Sequence, residues 1–314
     1  DGTNPYAKML YGGTKESRSI VGGGKLQLDI RPFTGLVISG VFSPKFNESR
    51  DKDFNKAVTY TPYDDPDGPK SFLASANTTD LTEVRTSSYS YTAQLFANYN
   101  KNWGKHYFGV MAGIEEFYNN WQNISASKAD YITDYFPYLS AGPDDKVTAG
   151  NSAPYENAYF STYGRVTYNY DSRYYLQANF RADASARFAK NYRWGYFPSV
   201  SVGWVVSREG FMKDQDVVSH LKLRASYGNL GNERIGNYPY QTTMSFTSPS
   251  VFSGSSVIGV QGVTNSKLAI EDITWETTTT YDIGADLNFL GDRLTVNFDW
   301  YYKKTRNMLI ELDI

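Results

Sequence analysis

The sequence contains no cysteine. Disulfide frameworks, thiolate metal sites, iron–sulfur clusters and cysteine nucleophiles are excluded together. Histidine is nearly as scarce, with only His106 and His220 in 314 residues. Neither belongs to an H-E-x-x-H helix, and there is no G-x-S-x-G elbow. No run approaches the ~18 consecutive apolar residues of a membrane helix, and mean hydropathy is −0.51. A helical membrane protein is therefore excluded. A membrane β-barrel is not, because its strands alternate apolar and polar residues and average out to hydrophilic. An excess of one charge is missing too: 31 Lys+Arg stand against 33 Asp+Glu, so no nucleic-acid partner is expected.

Aromatic residues are abundant. The 27 Tyr, 18 Phe and 6 Trp make up 16% of the chain. Period-two alternation is equally prominent. In Tyr174–Phe188 the even positions are Tyr, Leu, Ala, Phe, Ala, Ala, Ala and Phe, while Tyr175, Gln177, Asn179, Arg181, Asp183, Ser185 and Arg187 lie between them. The same pattern marks strands over Asn157–Tyr170, Tyr196–Val206, Leu221–Tyr227, Thr279–Phe289 and Leu294–Tyr302. Noisier segments predict strands near Lys25–Phe33, Leu36–Asn47, Ser87–Asn100 and Lys105–Trp121. About ten strands result, several far longer than the five or six residues typical of soluble sheets.

Connection lengths form a second pattern. Short ones are expected at Phe33–Gly35, Asn102–Gly104, Asp171–Ser172 and Leu290–Asp292. Long ones are expected at Glu48–Thr86, Gln122–Tyr155 and Leu230–Thr274, with a shorter one near Ala189–Trp194. Only Arg208–Ser219, of medium length, interrupts the alternation of short and long. Short turns on one edge and long loops on the other characterise outer-membrane barrels. The fold expected is all-β, an antiparallel up-and-down transmembrane β-barrel.

Local motifs add little chemistry. Gly22-Gly23-Gly24-Lys25 lacks the spacing and hydroxyl of a phosphate loop and reads as a flexible lead into the first strand. Asp64-Asp65-Pro66-Asp67-Gly68 offers oxygens to a hard cation but is not a full calcium loop. No catalytic set, cofactor site or metal site is expected. Tyr174, Phe188, Trp204 and Trp300 suit interfacial girdles. The loop aromatics Tyr60, Tyr63, Tyr131, Tyr135, Phe136, Tyr138 and Tyr240 are candidates for stacking on a solute or packing their own loops. Gln177, Asn179, Arg181, Asp183 and Arg187 are candidates for a stripe facing a lumen.

The run NYDSRYYLQANFRADASARFAKNYRWGYFPSVSVGWVVSREGFM at Asn169–Met212 resembles the most characteristic stretch of the SusC/RagA family of TonB-dependent outer-membrane transporters. LKLRASYGNLGNERIGNYPY (Leu221–Tyr240) and WETTTTYDIGADLNFLGDRLTVNFDWYYKKTRNMLI (Trp275–Ile310) follow in that family's order. Ala184 and Ala186 depart from it, standing where Gly-Ser is usual. The resemblance implies a plugged barrel of about 22 strands, in which residues 1–314 form about ten strands of one transmembrane domain. The plug and the C-terminal strands would lie outside this sequence, which starts without Met and stops just after a strand-like run. It also implies active import of oligosaccharide or peptide, a SusD-like surface lipoprotein as partner, TonB acting through the plug, outer-membrane lipid around the wall, and no enzymatic activity. Two alternatives stay open on the sequence: a complete small outer-membrane barrel enzyme, protease or lipase, and a soluble carbohydrate-binding β-sandwich.

Overall fold

The computed structural model describes residues 4–214, 216–247, 250–253, 256–260, 262–267 and 269–310. Twelve strands join one antiparallel sheet. The first six are β1 (Gly13–Gly23), β2 (Leu26–Ile30), β3 (Leu36–Asn55), β4 (Asp80–Trp103), β5 (His106–Lys128) and β6 (Val147–Gly150). The others are β7 (Tyr155–Tyr170), β8 (Tyr174–Ser185), β9 (Trp194–Val205), β10 (Val218–Asn232), β11 (Glu276–Phe289) and β12 (Leu294–Arg306). Ten run in the order β1-β3-β4-β5-β7-β8-β9-β10-β11-β12, while β2 pairs with β3 and β6 with β5. The meander is the up-and-down order that the alternating connections predict.

Short turns close where the sequence tolerates left-handed backbone. Asp171 and Ser172, with φ of 52° and 53°, are the central residues of the turn closed by the Arg173 N–H on the Tyr170 carbonyl, in the three-residue connection between β7 and β8. Positive φ at both central residues matches the twist of the flanking strands. Asp171 is held there by Lys105 and Arg173, each 3.1 Å from its carboxylate. Gly35 and Gly104 supply positive φ at two other short turns.

Several strand limits differ from those expected. Gly22 and Gly23 lie inside β1 and not in a lead-in. This strand escapes the sequence because seven of its eleven residues, from Gly13 to Ser19, carry no apolar alternation. The gap between β1 and β2 has a definite cause. Gly23 faces Lys45 and Leu26 faces Phe42, so the interruption falls opposite Pro44, which has no N–H to give the ladder. β3 runs on to Asn55, β4 begins at Asp80 and β5 continues to Lys128, so two of the three long loops expected, Glu48–Thr86 and Gln122–Tyr155, shrink.

The residues divide into two compact units. The first takes the described residues of 1–25, 43–91 and 119–156; the second takes those of 26–42, 92–118 and 157–314.

In the first unit, helix α1 (Pro5–Tyr11) starts at Asn4, whose side chain accepts from the Ala7 N–H at 3.0 Å, with Pro5 opening the helix. The ladder that follows is polar on both faces. Ser19 donates to Asn47 at 2.8 Å, Lys15 lies 3.6 Å from Asp53, and Arg50 lies 3.5 Å from Glu83. A small core gathers Phe54, Leu81 and Tyr131, with Leu139 packed against it.

The second unit inverts the usual burial of a soluble sheet. Along β8 the apolar Tyr174, Leu176 and Phe180 are exposed, while Gln177, Asn179, Arg181 and Asp183 are half-buried. Along β9 Tyr196, Val200, Val202 and Trp204 are exposed and Ser199, Ser201 and Gly203 are half-buried. Register preserves the pattern across the pair, because Leu176 faces Val202 and Gln177 faces Ser201. Phe188 departs from the girdle role expected of it. The strand ends at Ser185, and Phe188 is fully buried, 5.4 Å from the Trp275 ring. Trp300 sits at mid-strand opposite Ile283, not at a strand end.

Candidate functional site

The half-buried polar face of the second unit concentrates its chemistry on Arg181. Its Nε donates to Asp183 Oδ1 at 2.7 Å, and its Nη2 donates to Glu115 Oε1 at 3.0 Å and Ser161 Oγ at 2.9 Å. The guanidinium also lies 5.6 Å from the Tyr163 ring centre. Asp183 and Ser161 meet because β8 and β7 place them directly opposite. Glu115 comes from β5 and is shared with the Gln94 amide. One planar cation thus holds two carboxylates and a hydroxyl, the fork geometry that suits arginine and not lysine. Further along, Gln177 donates to Asn179 at 3.4 Å and Asn179 donates to Ser199 at 3.1 Å. Arg224 repeats the fork on Asp286 at 3.0 and 2.9 Å and reaches Asp299 at 3.0 Å.

Gln177, Asn179, Arg181 and Asp183 therefore share one strand face, opposite Leu176 and Phe180. Arg187 does not belong to that strand, which ends at Ser185. From the following turn it donates to the Ile235 carbonyl and stands 3.7 Å from Glu233, whose carboxylate accepts from the Tyr159 hydroxyl. Glu115, Tyr159, Glu233 and Trp275 line the same recess as Arg181 and Asp183, and the alternation did not single them out. Glu115 is hidden by the adjacent Glu116, which blurs the period of β5, and Glu233 lies one residue beyond β10.

The loop aromatics separate into two kinds. Tyr131 belongs to the core of the first unit, with its hydroxyl on the Tyr138 carbonyl at 3.1 Å and its ring 6.0 Å from Phe54. Its ring packs within its own unit. Tyr60, Tyr63, Tyr135, Phe136 and Tyr138 are exposed in the same unit. Lys52 lies over the Tyr138 ring at 5.0 Å and Lys56 over Tyr135 at 5.8 Å. Tyr240, in the second unit, is half-buried and meets Tyr238 edge-on at 6.3 Å.

At the short-turn end of the second unit, His106 Nδ1 lies 2.7 Å from the Tyr168 hydroxyl and its ring stacks on Trp103. Nearby, Tyr170, Tyr174 and Trp204 stack in sequence at 6.3 and 6.5 Å. Glu209, in the connection after β9, accepts from Tyr174 and from the Trp204 indole at 3.0 Å; these bonds hold its carboxyl below the usual range. Asp144 is lowered in the same way by Lys128, which donates at 2.8 Å. Among the described residues no group of three or more His, Asp or Glu gathers as a metal cage, the Asp64–Asp67 turn included.

Comparison with known proteins fits this geometry. The family described as TonB dependent receptor-like, beta-barrel matches residues 15–314. TonB-dependent receptor P39 of Formosa agariphila is 33% identical over 229 residues, covering 72% of this chain and 21% of that protein. TonB-dependent receptor SusC of Bacteroides thetaiotaomicron is 30% identical over 252 residues, 75% of this chain and 23% of that protein. The chain thus spans under a quarter of the length of these relatives. Among solved structures, the RagAB peptide importer in its closed-closed state superposes with a TM-score of 0.81 at 23% identity, covering 96% of this chain and 31% of the other. That likeness shows a shared β-barrel fold, one that excludes the soluble sandwich. The inverted burial and the family match over nearly the whole sequence lead to one assignment: the chain belongs to the TonB-dependent receptor β-barrel family of the outer membrane.

Proposed function

We propose that residues 1–314 form part of the transmembrane wall and mouth of an energised importer of oligosaccharide or peptide nutrients, and that the wall performs no bond chemistry. The observation that carries this reading is the pair of faces on β8 and β9. Exposed Leu176, Phe180 and Val202 suit lipid, and the linked Gln177, Asn179, Arg181 and Asp183 suit a wet interior. In the full protein a plug domain would close the lumen, TonB would pull on it, and a SusD-like lipoprotein would cover the mouth. The names SusC and RagAB peptide importer among the relatives support the class of activity.

The test is uptake of labelled oligosaccharide and peptide pools by cells carrying the full-length receptor, with and without functional TonB. Uptake of at least one pool should disappear without TonB, and a lipoprotein should co-purify with the receptor. Uptake that continues unchanged without TonB would contradict the proposal. The small barrel enzyme has no observation in its favour.

A further inference from the structure

The first unit carries cations that its own carboxylates do not match. In the ladder of β1 and β3, Arg18 stands directly opposite Arg50. Like charges placed so destabilise a sheet. Arg50 lies 3.5 Å from Glu83, Arg85 3.6 Å and Lys52 3.9 Å, so one carboxylate serves three cations. Among the described residues Arg18 forms no ion pair. Glu16 faces Lys52 and Glu48 faces Ile20, one step to either side, so the step of Arg18 and Arg50 holds no acid of its own. The face as a whole sets four cations against three carboxylates, and its three arginines are exposed.

The same face has an apolar edge. Ile20, Phe46 and Tyr89 lie on it by period two and are all exposed. On the reverse face of β1 and of β3 residues 43–55 stand Ser17, Ser19, Asn47, Asp51 and Asp53, with Val21 the single large apolar residue. Ile20 is two residues from Arg18, about 7 Å along the strand. With a strand tilt near 40° that is about 5 Å in height. The headgroup layer on each side of a bilayer is about 5–8 Å thick. With Ile20, Phe46 and Tyr89 at the edge of the hydrocarbon, the arginines fall among the headgroups. The arginines lie towards the connection 56–79 that joins β3 to β4, and long connections are on the outer side of outer-membrane barrels. Planar guanidinium forks grip phosphate oxygens in pairs. An acidic protein would match the cations but would leave the apolar edge unexplained.

We propose that Arg18, Arg50, Lys52 and Arg85 hold the phosphate of a lipid in the outer leaflet of the outer membrane. The proposal does not depend on which solute is imported.

The experiment uses the full-length receptor, stripped of lipid in a neutral detergent and titrated with phosphorylated lipid A or with the same lipid after phosphatase treatment. Native mass spectrometry counts the lipid bound. Wild type should bind the phosphorylated form roughly tenfold or more tightly, the scale of a charge-assisted hydrogen bond. The double variant Arg18→Gln/Arg50→Gln should lose this preference. Lys15→Gln/Lys45→Gln, which removes the same charge from the reverse face, should keep it. Inorganic phosphate at the lipid's concentration should leave the lipid in place. Heat-modifiable mobility reports folding, and Arg85→Gln decides if the double variant does not fold. Four results overturn the proposal: no preference in wild type, equal loss in the reverse-face variant, displacement by inorganic phosphate, or a double variant that keeps the lipid preference and loses a co-purifying protein instead.

Discussion

The two units use the same ladder to different ends. In the first, residues such as Ser17, Ser19, Arg50 and Asp51 stand on strands whose sides are both polar, and cohesion comes from a few buried rings. In the second, strands of similar type turn Leu176, Phe180, Tyr196 and Val202 outward and their polar partners inward. Backbone pairing is common to both; only the medium against each face differs. Alternation therefore reports the difference between two faces and not the presence of a strand.

Removing the core of the first unit should have the largest effect. Phe54→Ala deletes a ring buried against Tyr131 and Leu81. The expected cost is about 3–5 kcal/mol. Hydrogen exchange of the full-length receptor should show faster exchange in β3 residues 43–55 and around Tyr131, with β8 and β9 unchanged. Equal loss in both units would mean that their cohesion is not separate.

Next comes a charge on the outward apolar face. Phe180→Arg should destabilise the receptor in bilayers by about 2–4 kcal/mol, the cost of an arginine near the membrane midplane. Ile20→Arg, at an equally exposed apolar position of the first unit, should stay within about 0.5 kcal/mol. Urea titration in liposomes measures both. Equal penalties would erase the distinction between the units.

The comparison also explains what the sequence made legible. β8, β9, β11 and β12 emerge from alternation because one face is apolar and the other is not. β1, the second half of β3 and the start of β4 do not, since Lys15, Glu16, Asp51, Glu83 and their neighbours carry no contrast between faces. The short turns were readable from Gly35, Gly104 and Asp171, whose backbone needs are local. The polar cluster was readable along one strand only. Gln177 to Asp183 follow from period two, but Glu115, Tyr159 and Glu233 join them through pairing and a loop root that no local pattern encodes.

A smaller effect is expected inside the polar face. Arg181→Leu leaves Glu115 and Asp183 without their shared cation. The arginine side chain is 43% exposed, so solvent screening reduces the cost to about 1 kcal/mol. The loss should shrink further in high salt, as equilibrium unfolding of the full-length receptor will show.

The smallest effect concerns pH. Hydrogen bonds from Tyr174 and Trp204 lower the Glu209 pKa in the folded state. Its contribution is therefore present above the ordinary glutamate range and lost as pH falls through the depressed value. Trp204 fluorescence should change only in that acid window, and Glu209→Gln should remove the transition. A transition at or above the ordinary glutamate range would contradict the assignment.

The central claim is that the exposed apolar face of β8 and β9 meets lipid while the opposite face meets water. Single cysteines at Leu176, Gln177, Phe180, Arg181, Ser201 and Val202 of the full-length receptor in bilayers test it directly, and residues 1–314 contain no cysteine to compete with them. Each is given a spin label and exposed in turn to a lipid-soluble and a water-soluble relaxing agent. The account predicts strict alternation: Leu176, Phe180 and Val202 relaxed by the lipid-soluble agent, Gln177, Arg181 and Ser201 by the water-soluble one. The same response at all six positions, or the inverse alternation, would contradict it.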